Sequence, residues 1–231
     1  TTVQPLVGGY TNLRISGTAI LGGPFSCSGD VNIGSSGVLD VSGHELTLPG
    51  ALTASGELRM VQETDRVVVQ QDATFNNSYK GNALSAGVLE VAGDLTIGSN
   101  GSFRATGSHR VVLNGAAEQT ISVSIPGSTQ SWNNFFEDVI ISNTSGIHFS
   151  NGAWINGAFD VAAGALVTSS SNLRVTDLTL LGATSLSVAS LEVSGNLIAE
   201  ASSDLSASGT LKLAGSMNVA GNYSVATTEF H

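Results

Sequence analysis

Histidines and carboxylates recur at fixed spacing along this chain, and they are its first candidates for chemistry. The segment GDVNIGSSGVLDVSGHELTLPG (29–50) returns as GDLTIGSNGSFRATGSHRVVLNG (93–115), so His44 and His109 hold related places. Two imidazoles could ligate a metal or move a proton, but neither has a companion ligand at H-x-x-x-H or C-x-x-C spacing. Both read as surface residues of a repeat consensus, as does His148 in GIHFS. Asp40, Glu90 and Glu192 share the slot L-[DE]-V. On one face of a repeating fold they would form an acidic stripe with weak Ca²⁺ affinity. A glycosidase pair needs a shared cleft and a raised pKa on one partner, whereas ETD at 63–65 and ED at 137–138 are sequence neighbours that point to opposite faces of a strand. Cys27 is the single cysteine and reads as a small buried hydrophobe. No catalytic, cofactor or metal site is expected. The aromatic group Trp132, Phe135 and Phe136 has two readings. The rings could offer an interaction surface that stacks on sugars, or they could plug the core where a loop leaves it.

The elements that would position these residues are short strands. Period-two alternation runs through RVVV, LEV, DLTI, RVVL, DVII, LRV, LTL and LKL, parted by Gly, Ser and Asn. LEVAGDLTI (89–97) returns as LEVSGNLIA (191–199), and GVLDVSG (37–43) as GVLEVAG (87–93). The offsets of 64 and 102 are close to three and five multiples of about 20 residues, the length of one solenoid turn. Leu89, Val91, Gly93, Leu95 and Ile97 share parity and therefore one side of an extended chain. The central Gly then marks a corner where a side chain would block a bend. The fold expected is all-β, a single right-handed parallel β-helix (β-solenoid) over 1–228, with irregular loops near 62–82 and 121–138. A sandwich is the rival, because NG at 100–101, 114–115, 151–152 and 156–157 could close hairpins. Glu229–His231 reads as a cloning scar, and the opening TTVQPLVGG, without Met, as the start of a mature or excised fragment.

Composition narrows the function classes. Charged residues make up 11% of the 231, against about 25% in an ordinary soluble domain. Ser, Thr, Asn and Gly supply the surface instead, which suits stacked strands where rows of like charge would repel. Eight basic against 18 acidic residues give a net charge of −10. Nucleic acid is therefore excluded as a partner, since phosphate binding needs clustered Lys and Arg. No apolar run is long enough for a transmembrane helix, so no membrane insertion is expected. The six Arg, mostly in contexts such as LRI, LRM and LRV, read as outward decoration.

The cassette GSHRVVLNGAAEQTIS followed by FFEDVIISNTSG, with repeated L-x-V-x-G-[DN]-L-x-I, resembles repeats of bacterial secreted and cell-surface β-solenoid proteins. These are adhesin-like chains of the broad filamentous-haemagglutinin and autotransporter-passenger type. The resemblance implies an extracellular or cell-surface location and a non-enzymatic, structural or adhesive role, and it carries over no catalytic residue. The expected partners are other copies of the chain or further coils of a parent chain, in fibre-forming end-to-end stacking, together with surface glycans. The alternative is a polysaccharide-binding or polysaccharide-cleaving β-helix with the 121–138 loop as its platform.

Overall fold

A computed structural model describes residues 10–76, 83–99, 102–127, 130 and 133–231, and the backbone of Gln4–Leu6. Among these residues there is no helix, and every strand pairing is parallel, so the chain is a β-solenoid of about ten turns. NG at 114–115, 151–152 and 156–157 therefore closes no hairpin, and 100–101 lies outside the described residues. Asn156–Gly157 lies inside the strand Ala153–Val161, at the register shift between Ile155 and Ala158, where the strand turns a corner.

Each turn contributes a strand to three ladders. The first runs Phe25, Leu46, Val67, Leu89, Val111 and on through Val139, Phe159, Leu178 and Leu197 to Met217. The second stacks Leu13, Val31, Leu52, Ala73, Leu95 and Ile121. The third begins Ala19, Leu39, Leu58 and ends Ala153, Leu173, Leu191, Leu211. Within a strand alternate residues face in, which gives burial patterns such as buried–exposed–buried at Val31–Ile33 and Leu95–Ile97. No single turn can bury its apolar row, so stacking at about 4.8 Å per turn builds one core. That core runs continuously from Ile15 to Leu213.

The 64-residue echo is three turns: Val31 pairs with Leu52, Leu52 with Ala73, and Ala73 with Leu95. The 102-residue echo is not five turns. Leu89 stacks in the first ladder, whereas Leu191 stacks between Leu173 and Leu211 in the third. The same cassette wraps a different corner, because the inward rows of all three ladders make the same demand for alternating aliphatics.

The Asx position just before a rung, which in the cassette follows Gly93, joins consecutive turns. The side-chain oxygen of one turn accepts the backbone N–H at the same place in the next. Asn12 takes Asp30 N–H at 2.9 Å, Asp72 takes Asp94 N–H at 2.9 Å, and Asp94 takes Thr120 N–H at 2.7 Å. At a second corner Asp138 takes Ala158 N–H and Asp177 takes Asn196 N–H. Such a bond to a charged acceptor is worth about 1–2 kcal/mol. Asp94→Ala is expected to lower stability by about that much at an exposed position where no packing is lost. The reading is a lower urea midpoint at unchanged m-value; an unmoved midpoint would show that water replaces the clamp without cost.

The expected irregularity at 62–82 is narrower than the sequence implies. Arg66–Val69 and Ala73–Phe75 are regular rungs, and Arg66 to Val88 is an ordinary turn; 77–82 lie outside the described residues. The excursion within 121–138 is present. Arg110 pairs with Asp138, a turn of 28 residues instead of about 20. Amides tie its root. Asn134 is fully buried, accepts Phe103 N–H at 2.9 Å and donates to the Gly98 and Ser124 carbonyls. Gln119 donates to the Val91 and Gly93 carbonyls and accepts from Gly115 N–H. At the other end Glu229 and Phe230 continue the strand Asn222–Phe230 in register with Lys212 and Leu213, so the ladder runs past residue 228.

Candidate interaction surface

The residues that sequence singled out for chemistry do not converge. His44 and His109 share one corner three turns apart, the slot before Glu45, Arg66, Val88 and Arg110, but they differ in environment. His44 is half-buried. His109 is fully buried, which corrects its reading as a surface residue: its ring stands edge-on to Phe103 at 5.9 Å between centroids. Neither ring nitrogen has a hydrogen-bond partner, and burial holds its pKa down at about 3. Asp65, in the same slot, is also buried but accepts the N–H groups of Gly43, Val61 and Gln62. His148 points out of the second ladder and bonds Thr168 Oγ1 at 2.9 Å. Cys27 is buried, with its thiol on the Thr11 carbonyl.

The acidic stripe is also corrected. Asp40 and Glu192 sit in the third ladder, each opposite an Arg of a neighbouring turn, and Glu90 sits in the first, diagonal to Arg66. Arg59 lies 3.6 Å from Asp40, Arg66 2.8 Å from Glu90 and Arg174 3.2 Å from Glu192. Arg66 also reaches Glu45 at 2.6 Å, and that hydrogen bond holds the Glu45 carboxyl below its ordinary pKa. Glu137 is pushed up by burial, with the charge of Asp138 adding to the effect. Asp138 itself serves as a corner clamp on Ala158 N–H. Among the described residues no three His, Cys, Asp or Glu side chains gather at metal-binding distance.

Of the aromatic trio, Trp132 lies outside the described residues. Phe136 faces inward in the core, its ring 5.2 Å from that of Phe103. Phe135 faces outward but is only 4% exposed, with the Arg104 guanidinium 5.1 Å from its ring centroid. Neither Phe ring is open to a sugar.

Phe135 does belong to an outward column that sequence reading missed. Arg104 pairs with Phe135, and Phe136 with Ile155, which brings Trp154 next in line. Trp154 then pairs with Arg174, Arg174 with Glu192, Glu192 with Lys212, and Lys212 with Glu229. The Arg174 guanidinium sits 4.0 Å from the Trp154 ring centroid, and the indole N–H donates to Asn156 Oδ1 at 2.9 Å. Beside this column lies an open groove of about 480 Å³, lined by Trp154, Arg174, Glu192 and Lys212, with Asn151, Asn172 and Ser190 along its rim. The available signal was a spacing of about 20 residues among AWI, LRV, LEV and LKL, which alternation alone does not reveal.

The ladders and this outer column define the class: a parallel β-solenoid repeat protein with three stacked faces. The chain matches no protein-family model, no curated protein and no solved structure.

Proposed function

We propose that the chain is a non-enzymatic structural segment of an extracellular or cell-surface protein, a stiff spacer that extends by adding turns at an open edge. The supporting observation is the strand Asn222–Phe230, which pairs along Asp204–Leu213 and, among the described residues, has no partner on its other side. Its inward residues continue the buried columns without being covered. Tyr223 follows Leu205, which is 1% exposed, yet is itself 37% exposed, and Val225 is only partly buried against the core. An edge of this kind is a template for another parallel strand with the same pitch. The occupant is a further turn of the same type, either the next turn of a parent chain or one contributed by a second copy. The resemblance of its cassettes to secreted and cell-surface β-solenoid repeats supports an extracellular setting.

Sedimentation over a wide concentration range tests the stacking. Association is expected, and Val225→Lys, which places a charge in the uncovered row, is expected to abolish it while the far-ultraviolet circular dichroism stays that of the folded chain. A monomer at every concentration would overturn end-to-end stacking.

A further inference from the structure

We propose that the groove beside Trp154, Arg174 and Lys212 binds a carboxylated oligosaccharide. This rests on the groove itself and does not depend on whether turns stack end to end. The charge is the first argument. In a chain of net charge −10, this groove gathers two of the eight basic side chains and one acid. Arg174 shares its guanidinium with the Trp154 ring and Glu192, and is thereby fixed in place. Lys212 is exposed, stands in register between Glu192 and Glu229, and makes no ion pair within 4.0 Å with either carboxylate. Its ammonium is therefore available to an anion.

Shape and surface chemistry are the second argument. Trp154 is held by its indole N–H bond to Asn156 and by the stacked guanidinium, and presents apolar indole surface to the groove. A sugar's C–H groups pack on such a surface. The amides of Asn151 and Asn172 and the hydroxyl of Ser190 supply donors and acceptors for sugar hydroxyls. From Trp154 to Lys212 is three rungs, about 14 Å at the strand spacing, so an extended oligomer of a few sugars spans the site. The polymer runs along the solenoid axis, with its carboxylate at Lys212 and the cationic edge of Arg174.

The test uses the chain as it stands with a short alginate oligomer, against the same oligomer with its carboxylates reduced to alcohols. Isothermal titration is expected to show binding of the carboxylated oligomer that weakens as salt rises, and at least tenfold weaker binding of the reduced one. Lys212→Gln, at an exposed position, is expected to cost about tenfold in affinity, as loss of one charge-assisted contact does. Arg174→Gln, checked for an unchanged melting temperature, is expected to act in the same direction. No binding of the carboxylated oligomer, equal binding of both oligomers, or an unaltered affinity in Lys212→Gln would each overturn the proposal.

Discussion

Gly93→Ala should destabilise the chain by about 3 kcal/mol, while Gly17→Ala should be neutral or slightly stabilising. The difference lies in what an added methyl group would meet. At Gly93 it would stand 2.4 Å from the Gln71 carbonyl carbon and 2.6 Å from the Asp72 nitrogen, both backbone atoms of the preceding turn. Those atoms cannot yield without breaking the rung Ala73–Leu95 and the Asp72 clamp on Asp94 N–H. At Gly17 nothing lies within 4 Å, so the methyl group only restricts the unfolded chain. The same contact recurs at Gly195 and Gly215, where a Cβ on the second would meet the backbone of the first. Paired urea unfolding of the two variants gives the comparison. Equal midpoints would mean that the corners are loose enough to part, and the account of Gly-Asx as a tight joint would fail.

The second large effect is acid sensitivity at His109. In the unfolded chain an imidazole titrates near its ordinary value of about 6.5; in the fold it stays neutral down to about 3. Between those pH values the unfolded state binds the extra proton, so the stability present above pH 6.5 is lost as pH falls towards 3. The slope approaches about 1.4 kcal/mol per pH unit within that window. His109→Leu removes the titrating group and leaves an apolar side chain beside Phe103, so it should cost little at pH 7. The variant should overtake the original chain on acidification, with the carboxylates common to both cancelling in the comparison. Parallel stability curves from pH 7 to pH 4 would show that the buried imidazole finds its proton another way.

Sequence alone revealed the solenoid because its demands are local. The parity of Leu89, Val91, Gly93, Leu95 and Ile97 is a statement about one corner and the inward row beside it, and the 64-residue echo counts three turns. Which face a cassette occupies was hidden, since Leu89 and Leu191 satisfy identical inward rows on different ladders. The two histidines show the same limit. They share a slot, yet the turn before His44 has positive φ at both Ser42 and Gly43, whereas Gly107 alone does before His109. Only in the second turn does Phe103 close over the ring. The column through Trp154, Arg174 and Lys212 was invisible for a related reason. Its members are separated by whole turns, so their contact depends on the register that each turn's length sets. Glu90 and Asp40 looked like one stripe until that register placed them on separate faces.

The Asx joints also set how this molecule can change in length. Each joint touches only the turns on either side of it: Asp94 meets Asp72 in the turn before and Thr120 in the turn after. A whole turn can therefore be inserted or deleted at a joint, with the broken ends meeting surfaces of the kind they left. A single added residue cannot be absorbed in the same way, because it reverses which side chains face the interior. The 28-residue turn rejoins the stack at Phe135, which bridges Arg104, and resumes the first ladder at Asp138. Growth by complete turns, with any remainder expelled as a surface loop, is the form of variation this architecture permits.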